Sequence, residues 1–191
     1  TLYFALITIV PSMVVGLFLA TIVNRKSRLT GFVRTAYFYP VIMPMIAIAS
    51  IWMFIYMAKN GLWDQLLVSF GQKPMNILSS KKTVLPAMAV MYVWKEAGYL
   101  MVFFLSGIQS ISEEVNEAAR IDGMSEYKIY ANIMLPLSKP ALSTLTIFTF
   151  VATWNDYLGL LIYLTPNKAS WTIQLGIKNT FIGQYSSEYG I

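Results

Sequence analysis

Two ionisable residues lie inside a long apolar run, where a charge is costly. Lys95 and Glu96 follow about 12 residues after the start of the range 83–112. Ionisable groups at such a depth usually face a bundle interior or a water-filled path, so both are candidates for lining a solute route. Neighbours on a helix point roughly 100° apart, which predicts that each finds its partner on another segment. Structural pairing and solute contact are both open.

A second polar group interrupts another apolar range, 140–164. Trp154, Asn155 and Asp156 stand together there, between uncharged stretches. The group is either exposed to a solute or part of an aromatic belt at the membrane interface, with Asp156 near the outer surface. The residues alone leave both interpretations open.

The residue types that are missing exclude several kinds of chemistry. The chain has no Cys and no His, so disulfides, thiol-ligated metals and the usual general base are excluded, and no metal site is expected. It has no Walker-type phosphate loop and cannot be its own ATPase. The net charge of +5 is spread over connections without basic clusters among aromatics, so no nucleic-acid partner is expected.

Four apolar ranges must carry these side chains, namely 1–24, 35–58, 83–112 and 140–164. At 1.5 Å per residue, 24 helical residues exceed the ~30 Å thickness of a hydrocarbon core. Only 12% of the residues are charged, against about 25% in an average soluble domain, while 57% are hydrophobic. The sequence therefore predicts an all-α, polytopic membrane protein with a single transmembrane domain.

A polar segment separates the last two ranges and holds most of the acidic residues. It is predicted to form two short helices joined at Gly123, where a left-handed residue ends the first helix. Ser112 is expected to cap that helix through its hydroxyl, and Ser125 the second. The segment 113–139 carries the complete pattern EAA-x3-G-x9-I-x-LP, formed by Glu117, Ala118, Ala119, Gly123, Ile133, Leu135 and Pro136.

This segment resembles the EAA motif of permease subunits in bacterial ATP-binding-cassette importers. The resemblance implies a MetI-like helical bundle in the bacterial plasma (inner) membrane, with the segment as a cytoplasmic coupling loop. It also implies that Glu117, Ala118, Ala119 and Gly123 touch a separate ATPase, and that the residues from Ile133 to Pro136 anchor the loop to the next span. ATP and Mg²⁺ would be used by that ATPase, and the chain itself would bind no cofactor.

The same family implies further partners. They are an ATPase dimer, a second permease subunit that forms a heterodimer with this chain, an extracellular or periplasmic solute-binding protein and membrane lipid. A looser similarity, through Arg34, Pro40, Pro44, Trp52 and Gly61, points to the carbohydrate and glycerol-phosphate branch, although packing also explains these residues. The residues that precede the motif also resemble those of the family, at Gln109, Ser110 and Ile111.

The resemblance also gives Trp154, Asn155 and Asp156 a solute-facing role, with rings stacking on a sugar and polar groups binding its hydroxyls. Lys95 would instead suit a phosphate-bearing solute, so the solute stays open. A secondary transporter working without an ATPase is the alternative function. Copurification with an ATPase separates the two.

Orientation follows mainly from the resemblance. The assigned loops hold seven basic residues inside and six outside, which decides little. The first connection contains Arg25, Lys26 and Arg28, and this density of basic residues favours a cytoplasmic location for it. The connection 59–82 is then external, either meeting the solute-binding protein or holding an interfacial helix with Trp63, Leu66, Leu67 and Phe70. Segments before residue 1 and a last span after 165–191 are expected to be missing.

Overall fold

The computed structural model describes residues 1–24, 30–164 and 168–188, and within these ranges the regular structure is helical. Arg25, Lys26 and Arg28 of the first basic connection lie outside the described residues. The helices are α1 (Leu2–Asn24), α2 (Thr30–Ile42), α3 (Met45–Ile55), α4 (Leu62–Ser69), α5 (Val84–Gln109), α6 (Glu113–Ile121), α7 (Glu126–Ile129), α8 (Leu135–Leu137), α9 (Lys139–Asn155), α10 (Leu158–Leu164) and α11 (Ile173–Glu188). A π-helical turn, Tyr130–Met134, precedes α8, and a 3₁₀ turn, Lys168–Ser170, precedes α11.

Two of these helices are long and apolar enough to cross a membrane on their own. Helix α1 has 23 residues and a mean hydropathy of 2.4, and α5 has 26 residues and a mean hydropathy of 1.3. At 1.5 Å per residue both exceed the ~30 Å of a hydrocarbon core. Two bent helix pairs pass the same test, which gives up to four spans in the described part of the chain.

The sharper of the two bends lies between α2 and α3, whose axes differ by 103°. Pro44 precedes α3 with an extended backbone, φ −58° and ψ 140°. A proline has no amide to donate and forces the residue before it, Met43, away from helical geometry. The helix therefore stops at this proline, whereas Pro40 lies within α2. The second bend, 52°, lies at Ser138 between the segment 131–137 and α9.

The chain divides into two compact units. The first contains 1–8, 43–92 and 151–191. Its core holds Ile48, Met88, Leu160 and Leu164 among other buried side chains. Two tyrosines also fix helices to each other through backbone oxygens. Tyr163 donates to the carbonyl of Ala49 at 2.5 Å, and Tyr56 donates to that of Ala87 at 3.0 Å.

The second unit contains residues 9–42 and 93–150. Its core includes Ala20, Leu100, Met101 and Phe104. A Cβ at Gly98 would collide with the backbone carbonyl oxygen of Tyr37, and a Cβ at Gly16 would lie 2.6 Å from Cβ of Leu100. Small residues at these two points therefore let α5 approach both α2 and α1 closely, as in other membrane helix pairs.

Candidate functional site

Helix α6 forms the first half of the acidic segment and begins directly after Ser112. Ser112 has the extended backbone of a capping residue, φ −60° and ψ 140°, but its side chain makes no capping hydrogen bond. The prediction of a hydroxyl cap is therefore wrong. The backbone carbonyl of Ser112 instead accepts the amide of Val115 at 3.2 Å.

Helix α6 ends at the glycine that the motif requires. Gly123 has φ +77°, in the left-handed region. Its amide donates to the carbonyl of Arg120 at 3.0 Å, and the amide of Met124 donates to that of Ala119, also at 3.0 Å. These two bonds form a Schellman turn, in which glycine avoids the steric cost of a Cβ. No atom lies within 4 Å of a Cβ built there, so backbone conformation alone explains the glycine.

The three residues before this turn do not share one environment. Glu117 and Ala118 are exposed, whereas Ala119 is buried with 5% of its surface accessible. Ile121, one turn after Glu117, is 86% exposed. The helix thus presents a carboxylate, a methyl group and an uncovered isoleucine to its surroundings. An exposed apolar side chain beside a charge is suited to a protein partner.

The end of the motif packs into the second unit. Ile133, Leu135 and Pro136 are half-buried. Met134, between them, packs against the core that contains Leu100 and Phe104. Its carbonyl accepts both the amide of Ser138, at 3.0 Å, and the Ser138 hydroxyl, at 2.8 Å. These contacts hold the exit of the loop to the start of α9.

A polar cavity of about 430 Å³ lies at the other end of the loop. Arg34, Ser106, Gln109 and Ser110 line it together with two apolar residues of α5. Gln109 also donates to the side-chain oxygen of Asn24 at 3.5 Å. Arg34 and the Gln109–Ser110 pair were separate features of the sequence, and the fold brings them together beside the point where α5 leads into α6.

Lys95 and Glu96 lie within α5, in the second unit. The Lys95 ammonium lies 3.8 Å from Oε1 of Glu96, and their side chains are 16% and 31% exposed. Among the described residues the two charges therefore pair with each other. The expectation of partners on other segments is wrong here, because long side chains reach across the 100° that separates helix neighbours.

Asp156 lies in the first unit, in the break between α9 and α10. Its carboxylate accepts a hydrogen bond from the Tyr92 hydroxyl, and Oδ1 also accepts the amide of Gly159 at 3.4 Å. A Cβ at Gly159 would collide with the Tyr92 hydroxyl and with Cε of Met45. Gly159 therefore leaves room for the Tyr92 hydroxyl beside Asp156. Sequence reasoning missed Tyr92 because nothing local links it to residue 156.

Asn155 and its neighbours contact α11. The Asn155 side chain donates to the carbonyl of Val151 at 2.9 Å and accepts from the Gln174 amide at 2.8 Å. Lys178 lies one turn further along α11, with its ammonium 4.5 Å from the centre of the Tyr157 ring. Trp154 is half-buried. Gln174 and Lys178 are spaced four residues apart, a signal that would have placed them on one helix face.

Residues 12–189 match a protein family described as binding-protein-dependent transport system inner membrane component. The xylose/arabinose import permease protein XacH of Haloferax volcanii is 28% identical over 88% of this chain and 55% of its own length. The trehalose/maltose transport system permease protein MalF of Thermococcus litoralis is 29% identical over 97% of this chain and 64% of its own. The sn-glycerol-3-phosphate transport system permease protein UgpA of Agrobacterium fabrum is 29% identical over 94% of this chain and 62% of its own length. The chain thus spans between half and two thirds of these relatives.

A solved structure shares the fold. A chain in the crystal structure of a bacterial alginate ABC transporter, in complex with an alginate pentasaccharide-bound periplasmic protein, superposes with a TM-score of 0.74. The two chains are 20% identical, and the match covers 81% of this chain and 54% of the other. The likeness confirms the predicted fold class, an all-α polytopic bundle.

Proposed function

The chain belongs to the family of binding-protein-dependent transport system inner membrane components, and on this premise we propose that it is the transmembrane permease subunit of an ATP-driven importer. The observation that carries the proposal is the acidic loop. Its motif is complete, its glycine forms a left-handed helix end, and Glu117 and Ala118 are exposed beside it.

The loop is proposed to dock on a separate ATPase. Glu117 supplies a carboxylate for a basic side chain of the partner, and the small Ala118 allows the partner's backbone to approach. Ala119 faces inward and lets α6 pack on its own chain. Gly123 sets the direction in which the chain leaves the helix. ATP and Mg²⁺ are bound by the ATPase, and this chain supplies no group to the hydrolysis.

Movement of the docked loop reaches the spans through its two ends. Helix α5 continues without a break from Val84 to Gln109, four residues before α6 begins. At the other end, Met134 is held in the core and hydrogen-bonded to Ser138 at the start of α9. ATP-driven closure of the ATPase dimer would therefore shift α5 and α9 and alternate access to the solute.

The proposed solute is a sugar, with a glycerol-phosphate as the second candidate. The relatives are named for pentose, disaccharide and glycerol-phosphate transport. Lys95 lies 3.8 Å from Glu96, so its charge is already offset and offers little attraction to a phosphate. This favours an uncharged solute. Trp154, Asn155 and Asp156 are the proposed sugar-facing residues of the first unit.

The complete importer would contain further proteins. An ATPase dimer binds the loop, and a second, homologous permease subunit completes the solute path as a heterodimer. A solute-binding protein delivers the sugar at the external connection 59–82. Lipid surrounds the spans, in keeping with the family's place in the inner membrane.

Copurification tests the docking. The full-length protein is tagged and expressed together with a candidate partner ATPase, as wild type, Glu117→Arg and Glu114→Arg. Both glutamates lie on α6 and are exposed, so the second variant is the matched control. The ATPase should be recovered at least tenfold less with Glu117→Arg and nearly unchanged with Glu114→Arg.

Two results would overturn the proposal. One is equal recovery of the ATPase with both variants, which removes the role of Glu117. The other is solute uptake by membrane vesicles that lack both the ATPase and ATP, which indicates the secondary transporter instead.

A further inference from the structure

An apolar groove of about 460 Å³ lies within the first unit, between α3, α4 and the first turns of α5. Its walls include Trp52 and Ile55 on α3, Trp63 on α4, and Ala87 and Val90 on α5. A cavity of this size is within the range of about 300–1,000 Å³ that holds small molecules. The apolar lining excludes a sugar or a nucleotide as the occupant and favours a hydrocarbon chain.

Polar contacts behind the walls preform the groove. The buried carboxylate of Asp64, on α4, accepts the backbone amides of Lys59 at 2.6 Å and Met75 at 3.1 Å. The Thr83 hydroxyl donates to the carbonyl of Ile77 at 2.6 Å, at the start of α5. Buried polar groups satisfied in this way hold their segments in place. These hydrogen bonds tie together the segments that form the walls of the groove.

The mouth of the groove has the composition of a membrane interface. Lys82 lines it and is exposed, and Trp63 is 42% exposed. On the same helix as Trp63, Leu66 is 55% exposed, and Phe70, which follows it, is 81% exposed. Aromatic side chains concentrate at the level of lipid headgroups, and a lysine beside them attracts anionic headgroups.

We propose that this groove binds an acyl chain of an anionic phospholipid, with the Lys82 ammonium paired with the headgroup phosphate. The apolar walls accept the hydrocarbon, and the single lysine lining the groove supplies the complementary charge. The family places the chain in the inner membrane, where such a lipid is within reach. The inference depends on membrane residence and is independent of the docking and solute proposals.

Native mass spectrometry of the full-length protein in detergent tests the site. Phosphatidylglycerol and phosphatidylcholine with identical acyl chains are titrated onto the wild type, Lys82→Gln and Lys81→Gln. Lys81 is also exposed but does not line the groove. Phosphatidylglycerol should bind the wild type about fivefold more tightly, and Lys82→Gln should abolish this preference while Lys81→Gln retains it.

A second pair of variants tests the hydrocarbon part. Val90 lines the groove and Val68 does not, and both are 54% exposed. Val90→Trp should fill the groove and weaken binding of both lipids at least threefold, whereas Val68→Trp should not. Equal binding of the two lipids by the wild type, or equal effects within either pair of variants, would contradict the proposal. So would a cysteine at position 90 that cross-links efficiently to a second permease subunit.

Discussion

The hydroxyl of Tyr92 donates a hydrogen bond to the carboxylate of Asp156, 64 residues further along the chain. The Tyr92 ring is itself held by an edge-on contact with Phe4, with ring centres 5.5 Å apart. Gly159 leaves the space in which the hydroxyl and carboxylate meet. Asp156 therefore has a structural partner in the fold, and a solute that contacts Asp156 must compete with Tyr92.

A double-mutant cycle separates these two roles. Tyr92→Phe and Asp156→Asn should each lower the thermal stability of the full-length protein in detergent. Their coupling energy should be about 1–2 kcal/mol, the size of a strong hydrogen bond between membrane helices. Tyr99→Phe is the control, because the Tyr99 ring packs on Phe103 and its hydroxyl has no hydrogen bond among the described residues. A coupling energy near zero, with uptake lost only in Asp156→Asn, would assign Asp156 to the solute.

Gly123→Asp should lower the rate of ATP-driven uptake at least tenfold, while the protein stays in the membrane. The left-handed backbone costs an aspartate about 1 kcal/mol, and the new carboxylate disturbs the docking surface. Gly71→Asp is the control, since Gly71 has φ +74° and an equally open surrounding but lies in the connection 59–82. Uptake and ATP hydrolysis are measured in proteoliposomes with the ATPase and binding protein. Normal uptake by Gly123→Asp would refute the coupling role of the loop.

Lys95→Gln leaves the Glu96 carboxylate without its cation in a half-buried position, and the amount of folded protein should fall. A partly buried carboxylate left without its partner costs about 1–3 kcal/mol. The double variant Lys95→Gln/Glu96→Gln removes both charges and should recover the folded protein, measured by size-exclusion chromatography. If the double variant also regains uptake, the pair is structural. Recovered folding with uptake still lost would place the pair in the solute path.

Family membership and fold class could be predicted from the sequence, and both are confirmed. The reason is that the decisive signals are local. The spacing from Glu117 to Pro136 is read directly along the chain, and apolar runs of about 24 residues require helices in a membrane because their backbone has no other partner there. The left-handed conformation of Gly123 is also a local signal, because the end of a helix depends on a few consecutive residues.

Only the tertiary structure decided which distant side chains meet. The hydrogen bonds from Tyr92 to Asp156 and from Gln174 to Asn155 depend on how the helices pack. The pattern of apolar residues along the sequence does not indicate which helices pack against each other. The missing Ser112 cap and the pairing of Lys95 with Glu96 were decided by geometry among several chemically acceptable partners. A sequence states which groups need a partner, whereas packing within a few ångströms decides which one each group obtains.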